Sequence, residues 1–330
     1  MWQARLERAE DTLRAYRQAT RYPTTSQPLG MHPDQAFPNQ PIEEEHGLGS
    51  GSGKVAEGVK LRTSQERVFV QGEESVRFTA ALQNAAGAVL PMRVIRASAR
   101  EMPPPNTGSM FPVVPLDFND EGRDGDATAG DGTYGVRLQP QVQGFAGLFG
   151  QIRVELVLQH GAEQGVTWFD VVYSPGAPAE WQGGVREALE DGSLHFHLRA
   201  NVREAGRYVV SARVDDANGV PFALLGFNDE VHVGAQEFRL TLFGKLVRDA
   251  RPAFPLTLRD VDAFLLRPDA YPDRRLMPRR AGKVHQSQDY VLTSFADAEW
   301  EAEERTRYLR ELGRDVAQAQ DQVRRLGTRP

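Results

Sequence analysis

Between Asp117 and Leu138 the chain reads DFNDEGRDGDATAGDGTYGVRL, the one stretch whose residue types and spacing suggest chemistry. Asp117, Asp120, Glu121, Asp124, Asp126 and Asp131 fall within fifteen residues against a single base, Arg123. Closely spaced Asp and Asn oxygens are the ligands of a hard cation such as calcium, which takes about six to eight of them. The candidate metal ligands are therefore Asp117, Asn119, Asp120, Asp124, Asp126 and Asp131. Asp117, Asn119, Glu121 and Gly122 imitate the start of an EF-hand loop, but its twelfth position is Thr128 and no helix flanks it, which excludes that motif. A looser calcium loop stays open. So does a second reading, in which the acids form Asx turns and the glycines let the backbone reverse twice.

Two further groups invite the same scrutiny. His195 and His197 are two apart on an expected strand, hence on one face, a spacing that can ligate a metal. Arg199 shares that face and disfavours a cation, so solvent-facing histidines are expected. The run PDRRLMPRR (272–280) places four arginines in a proline-bounded loop that could meet a phosphate or a lipid headgroup; a solvated loop is the plainer expectation. There is no G-x-S-x-G elbow, H-E-x-x-H, P-loop or Rossmann glycine fingerprint, and no catalytic residue is assigned.

The elements that must position these groups follow from periodicity. From Val59 the period is two: Val76, Phe78, Ala80 and Leu82 alternate with polar residues, and so do Ile152, Val154, Leu156 and Leu158, as sheets with one wet face require. About seven such runs with turns between them predict a first antiparallel sandwich over 59–174. SPGAPAEW (174–181) reads as a linker. A second sandwich is predicted over 181–295, with a hairpin turn at DDANG (215–219). Heptad spacing predicts a helix over 1–22 and another over 296–326, whose acidic first turns and basic end suit the helix dipole. Their narrow seams call for a partner helix, either each other within one chain or a second copy. Residues 23–58 are rich in Pro and Gly and read as an extended arm, ending in the flexible-linker pattern GSGSG (49–53). The fold class is thus mainly β: two antiparallel immunoglobulin-like β-sandwich domains with N- and C-terminal α-helices.

Composition bounds the rest. A charged fraction of 25% beside 40% hydrophobic residues is that of a globular chain. The net charge of −6 leaves no basic excess to displace counterions from phosphates, which argues against a nucleic-acid binder. No apolar run is long enough to cross a bilayer. The absence of cysteine rules out disulfides, thiolate metal sites and a cysteine nucleophile. It also suits a chain exported across a bacterial inner membrane, so a periplasmic or secreted mature chain without its signal peptide is expected.

Three stretches carry a family resemblance: YRQATRYP near the N-terminus, DEGRDGDATAGDGTYGVRL, and REAGRYVVSARVDDANGVPFALL. Together they resemble exported bacterial proteins of the choice-of-anchor X or domain of unknown function 4785 type. The most specific element is the GD-x3-GDG-x-Y turn at Gly125–Tyr134. The resemblance implies tandem immunoglobulin-like sandwiches on an envelope-associated protein, with no catalytic residues to carry over. The expected role is a non-catalytic binding or structural module for a protein or cell-surface ligand, as a monomer or a helix-mediated dimer. The alternative is a secreted hydrolase, or its accessory domain, with a carboxylate-lined site between the sandwiches.

Overall fold

The computed structural model describes residues 2–49 and 55–327. Helix α1 (Trp2–Ala19) leads into β1 (Ser26–Pro28), β2 (Ile42–Gly49), β3 (Val55–Gln65), β4 (Phe69–Gln71) and β5 (Val76–Asn84). There follow β6 (Val89–Leu90), β7 (Arg93–Met102), β8 (Val114–Pro115), β9 (Tyr134–Leu138), β10 (Gly150–His160) and β11 (Glu163–Ser174). After them come β12 (Ala179–Glu190), β13 (Ser193–Val202), β14 (Gly206–Asp215), β15 (Pro221–Val231) and β16 (Gly234–Leu242). Helix α2 (Gly244–Ala250), β17 (Thr257–Leu266), β18 (Arg274–Leu276), β19 (Arg280–Gln286) and helix α3 (Glu303–Gly327) complete the chain. The protein is mainly β, its sheets largely antiparallel, with a helix near each end. The residues 50–53 of the GSGSG linker lie outside the described residues.

The period-two runs close two separate hydrophobic cores. In the first, a sheet ordered β2-β3-β5-β6, with β9 also on β5, faces a sheet ordered β4-β11-β10-β7-β8. Val76, Phe78, Ala80 and Leu82 on β5 are fully buried while Arg77 between them is exposed. Across the gap they meet Ile152, Val154, Leu156, Phe169 and Val171, with the Phe78 and Phe169 rings 4.8 Å apart. Each Val, Leu, Ile or Phe among them stabilises by about 1.5–3 kcal/mol through burial. In the second core, a sheet ordered β1-β15-β14-β17-β18, with β19 also on β17, faces β12-β13-β16. Phe238 packs there against Tyr208, Phe227 and Trp181 at centroid distances of 5.7, 5.2 and 5.5 Å. β14 and β15 form the hairpin expected around DDANG, in the register Val214↔Ala223.

The segment expected as an extended arm is instead knitted into both sheets. β1 adds to the second sheet at Ser26↔Leu225, and β2 opens the first sheet at Ile42↔Gln65. Prolines at 23, 28, 33, 38 and 41 remove ladder donors, so the arm makes short pairings and two 3-10 turns instead of one long strand.

The terminal helices pair with each other, antiparallel. Gln320 Nε2 donates to Glu10 Oε1 at 3.3 Å and Arg305 Nε to Thr20 Oγ1 at 3.1 Å, while the Tyr16 and Tyr308 rings sit 5.7 Å apart. Helix α3 begins at Glu303, seven residues later than the expected start at 296. The reason is that the intervening residues are committed elsewhere: Ala296 N donates to Gly192 O (2.9 Å), Trp300 N to Arg21 O (3.0 Å), and Lys245 holds the Asp297 carboxylate at 2.7 Å.

Candidate metal turn and inter-unit cleft

The acidic turn lies flat on β9. Asn119 and Gly135 exchange backbone hydrogen bonds of 3.0 and 2.9 Å. A Cβ on Gly135 would fall 2.4 Å from Gly125 O, and one on Gly125 (φ +114°) 2.3 Å from the Val136 carbonyl carbon. Only glycine tolerates that approach at both positions, which explains their spacing in the sequence.

This crossing sorts the six candidate ligands into two sets. Asp120, Asp126 and Asp131 bring carboxylate oxygens within 4.8 Å of one another. Backbone amides organise them. Asp120 accepts from the N–H groups of Gly130 (2.8 Å), Asp131 (3.1 Å) and Gly132 (3.0 Å), and Asp126 from those of Gly122 (2.6 Å) and Thr128 (3.4 Å). Asp117 and Asp124 turn instead to Arg123, at 3.2 and 2.8 Å, with Glu121 at 2.7 Å on the same guanidinium. Asn119 is buried in the bridge, its Oδ1 accepting from Glu121 N at 3.2 Å. The donor set suits a hard cation: three carboxylates with lone pairs left over. Asx turns account for much of the same geometry, so both readings survive in one structure.

The arginine run is not a solvated loop. It is the clasp between the two β units. Arg274 stacks between Phe69 of the first unit and Phe264 of the second, 5.2 and 4.9 Å from their centroids. Arg275 Nε donates to Gly176 O at 3.0 Å, holding the linker. Arg279 donates to the Asn39 side chain at 2.7 Å and to Phe69 O at 3.4 Å, and Arg280 to Gly183 O at 3.0 Å. Each guanidinium finds carbonyls, carboxylates or rings already in place, so a run that looks like a phosphate trap in sequence is largely engaged within the chain. Sequence spacing could not show this, because apart from Asp273, which pairs with the adjacent Arg274 at 2.9 Å, the partners are remote.

Beneath the arm lies a second charged layer. Arg213, only 4% exposed, donates to Gln35 O (2.8 Å), Asp260 O (2.9 Å) and Asp262 Oδ2 (2.9 Å). Arg259 reaches Ala36 O at 2.8 Å and Asp215 at 2.6 Å. Removing water from Asp262 pushes its carboxyl above the ordinary value, against the opposing pull of Arg213 and Arg279. Loss of water likewise holds the Arg213 guanidinium below its usual value. Arg67, Arg213, Arg274 and Arg279 with Phe69, Phe264 and the arm line a cleft of about 620 Å³.

His195 and His197 are not solvent-facing, as expected from sequence, but 8% and 7% exposed. Their strand is the centre of a three-stranded sheet, and neighbouring side chains close over them. His195 Nδ1 pairs with Thr241 Oγ1 at 2.9 Å and His197 Nδ1 with Glu237 Oε1 at 2.6 Å. Burial, then the nearby Arg239, holds the His195 imidazole below its usual pKa. These bonds tie the Nδ1 of each ring to a neighbour on β16.

No family model matches the sequence, and no curated protein does. Among solved structures the chain is similar to a DUF4785 family protein of Legionella pneumophila. The identity is 13% and the TM-score 0.44, over 69% of this chain and 57% of that one. It is also similar to the native form of alpha-2-macroglobulin from E. coli, at 10% identity and TM-score 0.30, over 74% of this chain and 18% of that one. The chain thus spans just over half of the first protein and under a fifth of the second.

One cluster had no sequence signal. Glu187 accepts from His285 Nε2 (2.9 Å), Gln288 N (2.7 Å) and the Tyr290 hydroxyl (3.0 Å), bridging β12 to β19 and the segment beyond it. Burial, then the hydrogen bond to Glu187, pushes the Tyr290 phenol up to about 12. The carboxylate is satisfied three times over, which is the mark of a structural tie.

Proposed function

We propose that the chain is a non-catalytic binding and structural module that works outside the cytoplasm, built from two immunoglobulin-like domains fixed in one orientation. The first domain spans 42–174; the second spans 179–295 and takes in residues 23–41 of the arm. The observation that carries this reading is the clasp: Arg279 holds the arm, the first unit and Asp262 of the second unit at once. A module that only joined two independent beads would have no use for such a tie. The Tyr208 hydroxyl, which donates to Glu204 O at 2.7 Å four residues upstream, has the geometry of the tyrosine corner of immunoglobulin-like sandwiches and supports that assignment. Export is supported by the cysteine-free composition. The acidic turn holds calcium through Asp120, Asp126 and Asp131, stiffening the loop over β9. Cell fractionation of the native host tests the location: the protein belongs in the periplasmic or secreted fraction, and recovery from the cytosol would contradict the reading.

One observation favours the hydrolase alternative. The cleft between the units contains a carboxyl of raised pKa, Asp262. An acid/base pair needs a second such group with its own role, whereas Asp262 lies between Arg213 at 2.9 Å and Arg279 at 3.4 Å. That is the setting of a tied carboxylate, so the binding role is preferred.

A further inference from the structure

We propose that the outer face of the sheet β12-β13-β16 binds a phosphoryl group through Arg186, Arg199, Arg239 and His197. This names a ligand chemistry for the module described above and rests on its claim that the chain binds a ligand. Two cross-strand rows build the site. In one, His197 stands between Arg186 on β12 and Arg239 on β16; in the next, Arg199 stands between Gln182 and Glu237. The arginines, Gln182 and Glu237 are exposed, and His197 alone is buried. Opposed residues on neighbouring strands lie about 4.5–5.5 Å apart and diagonal ones about 7–8 Å, so the three guanidiniums can reach one group.

Charge selects an anion. Arg199 faces Glu237 across the ladder without pairing with it; Glu237 is taken by His197 Nδ1 at 2.6 Å and Arg186 at 3.2 Å. Among the described residues, neither Arg199 nor Arg239 has a hydrogen bond or an ion pair. Three guanidiniums against one carboxylate leave two positive charges uncancelled within these rows, on a chain whose net charge is −6. The other acids of this face stand apart: Glu180 is held by Arg203 at 2.8 Å, and Glu190 lies beyond His195 at the end of its strand. A planar guanidinium fork takes the oxygens of a phosphate two at a time.

His197 narrows the choice of anion. Its Nδ1 belongs to Glu237, and its Nε2, which points away from that carboxylate, is buried without a partner. Arg186 and Arg239, the long exposed side chains beside it in the row, can lift and close on a ligand. A phosphoryl group, whose second proton titrates at a pKa of about 6, offers an oxygen to accept from Nε2–H and a hydroxyl to donate to a bare Nε2. It therefore meets the ring in either protonation state. Sulfate has no proton to give at neutral pH.

The test is calorimetric titration of the whole chain with inorganic phosphate and with sulfate at neutral pH, beside flotation with vesicles of phosphatidylcholine alone or with added phosphatidic acid. Saturable binding should appear with phosphate, with the phosphatidic acid vesicles, or with both; the first places the group on a small ligand, the second on a lipid headgroup. Arg199→Gln and Arg239→Gln should each weaken it about tenfold. His197→Asn, which keeps a donor for Glu237 while removing Nε2, should weaken it at least about threefold. Arg77→Gln removes the same charge from an exposed position on β5 and should leave binding unchanged. The arginine variants should keep the melting temperature of the parent, which separates a lost contact from a lost fold. Absence of binding to both probes overturns the inference. So does sulfate binding as tightly as phosphate, or a loss in Arg77→Gln as large as that in Arg199→Gln. If neither probe binds while the two units prove rigidly held, this inference falls and the module reading stands. If phosphate binds but the protein is recovered from the cytosol, the site stands and the proposed location falls.

Discussion

Arg279 Nη1 donates to the Asn39 side-chain oxygen at 2.7 Å, joining residues 240 apart in sequence. The same guanidinium reaches Phe69 O and lies 3.4 Å from Asp262, so one side chain ties the arm to both cores. Arg279→Ala would leave the Asn39 side-chain oxygen and part of Asp262 without their protein partner in a half-buried layer. The expected loss is about 1–3 kcal/mol in urea unfolding, with the single transition splitting in two as the units uncouple. A single transition at the parental midpoint would count against the clasp.

A second prediction concerns the loop at 103–113. Glu101, 9% exposed, accepts from Ser109 Oγ (3.0 Å), Met110 N (2.6 Å) and Phe111 N (3.2 Å), fixing a loop whose Met110 side chain is 87% exposed. Glu101→Ala removes all three acceptor contacts. Thermolysin should then cut within 103–113 about tenfold faster or more, as local opening becomes easier by at least 1–2 kcal/mol. Mapping the first cleavage site by mass spectrometry checks it.

The pH prediction uses Asp216. Burial pushes this carboxyl up, but the amides of Val220 (2.9 Å) and Asn218 (2.8 Å) outweigh burial, leaving it below its ordinary 3.8. A depressed folded pKa means a contribution to stability that is present above 3.8 and lost as pH falls through the folded value. Asp216→Asn should therefore flatten the fall in stability below pH about 4, measured as midpoint shifts in urea between pH 2 and 6. An unchanged slope would show that the turn is not charge-assisted.

Much of this architecture was legible in the sequence, because period two and heptad spacing are local signals. The alternation of Val76, Phe78, Ala80 and Leu82 places β5, and the seam of Leu309, Leu312 and Val316 places α3. What was not legible depends on partners far along the chain. Nothing near PDRRLMPRR marks Arg274 as stacked on Phe69, and nothing near His197 shows Glu237 across the sheet. The acidic turn falls between these cases. Its glycines announce a double reversal, but the division of Asp120, Asp126 and Asp131 from Asp117 and Asp124 follows from where Arg123 and β9 lie. The start of α3 was misplaced for the same reason: Asp297 looks like a helix-opening acid until Lys245 is seen beside it.

Calcium provides the fourth prediction. Calcium at a hundred times its dissociation constant should stabilise the parent by about 2.7 kcal/mol, seen as a rise in melting temperature. Asp120→Asn should abolish that rise, whereas Asp124→Asn, whose carboxylate belongs to Arg123, should keep it. No calcium effect on the parent would remove the metal and leave the Asx-turn reading.

The most direct test of the central claim measures the spacing of the two units. Because the chain has no cysteine, Glu163→Cys and Val233→Cys can be spin-labelled together without background, one exposed site on each unit. Pulsed electron resonance should return a single narrow distance distribution in the parent, broadened when Arg279→Ala is added. A broad distribution in the parent, unaffected by that substitution, would show two units swinging freely and contradict the account.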